Sequence, residues 1–439
     1  MEFHISLILI LIIMIAAYAA ATSLKRPVEI SMLAATVAGG LAGAAFQTPA
    51  LVELPRHIVE GTFTYLDVML LFTTATVFMA VVSESGGVNY VVRATMKVFG
   101  RARFLALMVL MIIVLIPGAL TGAGSVSLLV VGAPVALALR QMQISERRIA
   151  AILFVIAGLS AAAPPVNIWA MMLCAGTAIP YVCFELPLGI PVLILGTFTM
   201  LTLGLKRDKA LATEGPAPSL PEAPPGMTWW RVTIPFAVFF GLIVAYRVWP
   251  FRMPILGLAL EFVIAGLAAW LCSPRRIDIL ALSRDTVKRL LPLLVTTAVV
   301  GALQQIMTAT GVRGLLSFAV ISIPLVVLFI SLAVIIPVSE GVLTYGAAAI
   351  LGIPLIWFFD SIGLHATVAI AGLSLLWPLG DGLPPTALIG RLSMMVSGYK
   401  CSYGSFLKTT WLPWVVITVT GILMVVFSAK LAFLVRWSM

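Results

Sequence analysis

Charge is scarce in this chain. Of its 439 residues only 10% are Asp, Glu, Lys or Arg, 62% are apolar, and the mean hydropathy is +1.14. Composition of this kind excludes an ordinary water-soluble domain, and apolar runs of about 18–20 residues follow one another along nearly the whole length, as membrane-crossing helices do. Histidine is nearly absent, and the four cysteines (Cys174, Cys183, Cys272 and Cys401) are scattered without metal-ligand or redox spacing, so they read as small apolar fillers. There is no phosphate-binding loop and no Ser-His-Asp pattern, which excludes ATP hydrolysis and leaves no enzyme signature. The net charge of +10 does not make a nucleic-acid surface. Most of the 27 Lys and Arg fall in alternate loops, where they set membrane orientation. In the first span, 4–22, Lys25 and Arg26 follow the apolar run instead of preceding it. That order predicts a retained helix with its N-terminus outside, not a cleaved signal peptide.

What the chain has instead is a repeated order of proline and glycine. Pro117, Gly132, Pro134, Pro164 and Pro165 recur as Pro337, Gly352, Pro354, Pro384 and Pro385, each displaced by 220 residues. Both residue types break helices, so a repeated breaker pattern implies a repeated backbone shape. Broken helices persist in a bilayer only where they line a cavity or pack inside protein, so the echo points at a functional centre.

The predicted spans are 4–22, 29–47, 66–83, an interrupted stretch 104–140, a long segment 147–180, and 186–204. A polar, proline-rich linker occupies 206–230. Then come 231–249, 254–272, 289–308, a second interrupted stretch 317–358, a long segment 363–397, and 411–435. In the first interrupted stretch the apolar run before Pro117 is about 13 residues, too short for about 30 Å of hydrocarbon at 1.5 Å per residue. Arg101 and Arg103 flank its start, and Arg140, Arg147 and Arg148 its end, so both ends belong in the cytoplasm and the stretch reads as a re-entrant hairpin. Counting onward leaves Lys206, Arg207, Lys209, Arg275, Arg276, Arg284, Lys288, Arg289, Lys400 and Lys408 inside, and the second hairpin enters from outside. The expectation is an all-α polytopic membrane protein built from two inverted repeats, 1–205 and 231–439. Each holds five crossings, one of them interrupted at Pro-Pro, and one re-entrant hairpin; both termini are periplasmic. Inverted repeats with discontinuous helices are a signature of secondary transporters.

The chemistry is expected at the hairpin tips and the breaks. Thr121, Gly122, Gly124, Ser125 and Ser127 at the first tip offer hydroxyls beside freed carbonyls, a shell suited to a hard cation such as Na⁺. Close helix packing is the plainer reading of the same small residues. At the first break, Pro164 and Pro165 free carbonyls around Ser160. Asn167 opens the following half-helix, whose N-terminus favours an anionic group. The second half supplies acids: Ser339 and Glu340 at the tip, Asp381 at the break. An acid within a span is a functional residue by default, as a cation ligand or proton carrier. The plainer alternatives place Glu340 near the outer surface and make Asp381 a helix cap. Asp67, Glu84, His365 and Arg391 lie towards span ends and read as interfacial.

The order of these features resembles the ion transporter superfamily. Within it, Thr121-Gly122-Ala123-Gly124-Ser125, Ala163-Pro164-Pro165-Val166-Asn167, Thr308-Ala309-Thr310-Gly311-Val312 and Gly382-Leu383-Pro384-Pro385-Thr386 look like the large membrane subunit (DctM-like permease) of TRAP transporters, over most of the chain. The resemblance implies an elevator mechanism, with hairpins and broken helices moving against a scaffold of outer spans. It implies coupling-ion sites drawing on Gly122, Ser127, Ser160, Ser339, Glu340 and Asp381. Thr121, Ser125, Asn167 and Thr386 would then bind a small organic anion, a carboxylate. It further implies a prokaryotic inner membrane, a small four-helix membrane subunit, a periplasmic binding protein, and no cofactor beyond the coupling ion. Glu340 and Asp381 stand where TRAP-type tips and breaks carry small or neutral groups. That departure leaves H⁺ as well as Na⁺ coupling open, and with it a stand-alone carrier or a cation/proton antiporter.

Overall fold

The computed structural model describes residues 2–46, 49–208, 219–249, 252, 254, 256–384 and 386–436. Pro385 and residues 209–218 of the linker, Lys209 included, lie outside the described residues. The first half contains α1 (Glu2–Ser23), α2 (Val28–Ala45), α3 (Leu54–Thr62), α4 (Leu66–Glu84), α5 (Gly87–Phe99), α6 (Arg103–Thr121), α7 (Gly124–Gln141), α8 (Glu146–Ala162), α9 (Ile168–Thr177) and α10 (Glu185–Gly204). The second contains α11 (Trp229–Val248), α12 (Gly257–Cys272), α13 (Ile279–Ala309), α14 (Val312–Ser322), α15 (Leu325–Leu343), α16 (Ala348–Ser361), α17 (Ala366–Gly380), α18 (Leu388–Ser397) and α19 (Tyr403–Val426). Ten helices among the described residues are long and apolar enough to cross a membrane, and there is no strand among those residues.

The echo in the sequence is an echo in the backbone. α7 and α16 each contain a π-turn, Leu128–Gly132 and Ala348–Gly352, displaced by 220 residues. Pro134 and Pro354 follow two residues on, and each lacks the N–H that would close the α-helical bond to the carbonyl four residues earlier. The half-helices α9 and α18 keep the same displacement from first residue to last. Gly132 and Gly352 also provide close approach. A Cβ on Gly352 would sit 2.6 Å from Leu173 of α9, and one on Gly132 3.0 Å from Val396 of α18. Each half-helix therefore lies against the hairpin of the opposite half.

The two broken segments run in opposite senses. At one face, Arg140 at the end of α7 donates to the Ser397 carbonyl closing α18 (3.4 Å), and Arg147 at the start of α8 to Ser405 of α19 (3.4 Å). Arg103 and Arg148 donate to the closing carbonyls of α10 at the same face, Gly204 (3.1 Å) and Leu203 (3.2 Å). Arg148 also pairs with Asp208 at 2.7 Å. Partial burial raises the Asp208 pKa, but bonds from Arg148 and Ser145 outweigh it and hold the carboxyl below its ordinary value. At the other face α9 ends where α17 begins its inward run. There Arg313, in the first turn of α14, donates to the Gly176 carbonyl of α9 (3.1 Å) and lies 4.4 Å from the Trp357 ring centroid of α16. A cation at the negative end of a half-helix is favourable in its own right. Replacing Arg313 by alanine is expected to cost about 2 kcal/mol of stability, read as a lower thermal midpoint in detergent.

Around this core stand helices joined by backbone-close crossings. Gly61 of α3 and Gly301 of α13 meet so tightly that a Cβ on Gly61 would lie 2.6 Å from Ala302 Cα. One turn on, Tyr65 donates a buried hydrogen bond to Gln304. Thr296 of α13 donates to Glu29 of α2 at 2.9 Å, and Phe78, Phe239 and Phe262 stack where α4, α11 and α12 meet.

Several boundaries differ from the sequence reading. The stretch 317–358 is in fact α14 followed by a hairpin over 325–361, because Pro324 holds Ile323 extended and ends α14. The last span is α19, 403–426, followed by short turns to Arg436, instead of 411–435. α6 continues through Pro117 to Thr121, so its 19 residues reach about 28 Å and the argument from a 13-residue run does not hold. The short helices α3, α5 and α14 were not anticipated as separate elements, since their mixed polarity breaks the apolar runs.

Candidate functional site

Each hairpin tip docks on the break of its own half through the same backbone contact. Val166 N–H donates to the Ala119 carbonyl (3.0 Å); in the second half Thr386 donates to the Gly341 carbonyl through its N–H (3.3 Å) and hydroxyl (2.9 Å). These contacts align α6 with α15 at a displacement of 222, and the broken helices at 220. Two side chains then exchange places. In the first half Gly118 on the hairpin faces Ser160 on the helix; in the second, Glu340 on the hairpin faces Gly380. A Cβ on Gly118 would lie 2.5 Å from Ser160 Cβ, and one on Gly380 2.5 Å from Glu340 Cβ. One site has room for a hydroxyl, the other for a carboxyl.

Most of the hydroxyls are taken up by nearby carbonyls. Thr121 donates to Pro117 (2.7 Å), Ser160 to Ala157 (2.6 Å) and Ser339 to Ile336 (2.8 Å). Ser127 donates across the hairpin to the Val114 carbonyl of α6. Gly122 turns the chain at φ +70°, a left-handed conformation that suits glycine, and Ser125 beside it is half-buried.

Asn167 is fully engaged. Its Oδ1 accepts from Ala170 N–H (2.9 Å), capping α9, and its Nδ2 donates to the Ala162 carbonyl at the end of α8 (3.0 Å). Its N–H donates to the Tyr181 hydroxyl (3.1 Å), which in turn donates to the Pro165 carbonyl (3.0 Å). The amide splints the break. Asn167→Ala is expected to lower stability by about 2 kcal/mol, and Asn167→Asp, which keeps the cap but loses the donor, by less, both read as thermal midpoints.

The second break is built differently. Asp381 closes α17 and does not cap α18, which begins after Ala387 with no side-chain cap. Tyr403 donates to the Gly382 carbonyl at 2.8 Å, the counterpart of the Asn167–Ala162 bond. Glu340 is fully buried, away from any surface, and neither carboxylate oxygen has a hydrogen-bond partner. Asp381, also buried, is close enough to repel it.

The two halves meet at these tips. Gly158 of α8 would place a Cβ 3.1 Å from Pro378 of α17, and Gly382 one 2.5 Å from the Phe154 ring. Ile389, second residue of α18, reaches the first tip, 2.7 Å from a Cβ on Gly124. Trp169, second residue of α9, reaches the second tip, its ring centroid 5.2 Å from that of Tyr345. Glu340, Asp381, Tyr345 and Trp169 thus form one buried cluster at the crossing of the breaks.

This architecture was compared with known proteins. No family model and no curated protein matches the chain. Its fold is similar to that of the Alcanivorax borkumensis YdaH transporter. That crystal structure, described as having an unusual topology, superposes with a TM-score of 0.55 at 15% identity, covering 84% of this chain and 86% of the YdaH chain. At that identity the likeness to YdaH is one of fold, and the site has to be argued from its own residues.

Sequence reasoning missed Trp169, Tyr345 and Gly380. The available signal was a tryptophan deep within a span, where interfacial placement is usual. It also missed Glu261, a buried acid of α12 with one unpartnered oxygen. Arg391 is exposed, and His365 begins α17, its N–H donating to Ser428 (3.2 Å).

Proposed function

We propose that the chain is a secondary transporter of a small organic anion, coupled to Na⁺ or H⁺, in which two inverted repeats form an elevator-type carrier. The observation that carries this reading is Glu340: a buried carboxyl with both oxygens unpartnered, facing Asp381 where a hairpin tip docks on a broken helix. Two such carboxyls repel, and a proton or cation between them removes the repulsion. The neighbouring half-helix N-termini at α9 and α18 favour an anionic cargo. The fold likeness to the YdaH transporter supports the same reading. Hairpins and broken helices, 103–177 and 325–397, would be the moving part, and α1–α4 with α11–α13 the scaffold. The arginines gathered at the face of α8's start support a cytoplasmic assignment of that face, which would place both termini outside.

Reconstitution of the purified chain in vesicles tests this. Uptake of labelled mono- and dicarboxylates under an imposed Na⁺ or proton gradient is expected. No anion uptake under either gradient overturns the reading, and cation exchange without anion movement identifies a cation/proton antiporter. Uptake by the chain alone marks a stand-alone carrier. Uptake that appears only after adding a small membrane subunit and a binding protein marks a TRAP permease.

A further inference from the structure

Trp169 is fully buried, and its indole N–H has no hydrogen-bond partner. An unpartnered N–H in a core costs about 1–3 kcal/mol, so its presence calls for a reason. Packing does not supply one. The equivalent residue of the other half, 220 positions on, is Ile389, which fills the corresponding place at the first tip without any polar atom. The N–H is present only in the half-helix that faces Glu340, whose two carboxylate oxygens are equally without partners. The indole and the carboxyl interact but close no bond of ordinary hydrogen-bond geometry. A donor and an acceptor, both orphaned and both buried, face each other across the junction of the two repeats.

We infer that Trp169 is a positioning residue that reports the charge of Glu340 to the opposite repeat: its indole N–H donates to the Glu340 carboxylate when the coupling ion is absent and releases it when the ion or proton is bound. The inference rests on the cation-coupled reading of the same site. The other groups facing Glu340 are Asp381 from the break and Tyr345 from the hairpin. Tyr403 of α19 faces Asp381, and Arg391 of α18 faces Tyr403. A hydrogen bond to an ionised group is among the stronger ones, so making and breaking this bond biases how α9 sits on the hairpin of the other half.

The test uses the full-length protein with 5-fluorotryptophan at all ten tryptophans, observed by fluorine resonance. The Trp169 signal is assigned by its loss in Trp169→Phe or, should that variant not fold, in Trp169→Tyr. It is expected to shift as Na⁺ is added or pH is lowered in the wild type, and to stay fixed in Glu340→Gln. A signal that does not move in the wild type, or moves equally in Glu340→Gln, overturns the inference. This readout needs no transport, so a titrating signal in a protein that moves no anion separates failure of the function from failure of the Trp169 role. Where uptake is measurable, Trp169→Phe is expected to change the half-saturating Na⁺ or proton concentration about 10-fold with little change in the maximal rate. A purely structural tryptophan would lower the maximal rate with the amount of folded protein and leave the half-saturating concentration unchanged.

Discussion

Glu340→Gln is expected to reduce cation-driven uptake about 100-fold, equivalent to about 3 kcal/mol, while the thermal midpoint stays level or rises. The two effects have one origin. Glutamine keeps the shape of the side chain between Pro337 and Gly380 but carries no charge to bind Na⁺ and no proton to exchange. Removing a buried carboxyl that has no hydrogen-bond partner also removes a desolvation cost, so the fold does not suffer. Uptake measured in vesicles under each gradient, beside a melting curve of the same preparation, checks both parts. Undiminished uptake with unchanged ion dependence would take Glu340 out of the site.

Gly380→Ala is expected to be a severely damaging small substitution. Its new Cβ would lie 2.5 Å from Glu340 Cβ, closer still to the Pro337 carbonyl, and 3.0 Å from Gly341 N. Two of those three atoms are backbone, so no rotamer change relieves the clash and the hairpin tip must leave the break. Overpacking of this kind costs about 1–3 kcal/mol or more, and here it falls on the site itself. Gly118→Ala offers the comparison. Its new Cβ meets chiefly the Ser160 side chain, so Ser160→Gly is expected to restore what Gly118→Ala loses. Gly241→Ala in α11, with nothing within 4 Å of the added carbon, is the neutral control. Melting curves and uptake of the four variants give the order. Retained activity in Gly380→Ala would show that the tip and break are not tightly docked when the protein works.

Much of the fold was legible in the sequence, and the reasons are specific. Proline has no N–H wherever it falls, so Pro134 and Pro354 produce π-turns at a displacement of 220, and the Pro-Pro break at Pro164–Pro165 ends α8 two residues earlier. Positive residues mark one face, which predicts the opposed senses of the broken segments. Local polarity did not reveal α14 as a helix of its own, nor that α6 runs on through Pro117, because a helix packed on both sides tolerates a proline that an isolated one would not.

The site divides in the same way. The sequence by itself determined that the second half carries the acids, Glu340 at a hairpin tip and Asp381 at a break. It equally determined that the first half carries hydroxyls and an amide. Only the tertiary structure decided which of those groups have partners. Ser127, Ser160 and Asn167 are consumed by nearby backbone carbonyls, whereas Glu340 is left without a partner. Only the tertiary structure, too, brought Trp169 to Glu340 and Tyr345, which lie 171 and 176 residues further along the chain. The physical reason is that breaks are local, set by the covalent chemistry of proline, whereas satisfaction of a buried polar group depends on which distant element packs beside it.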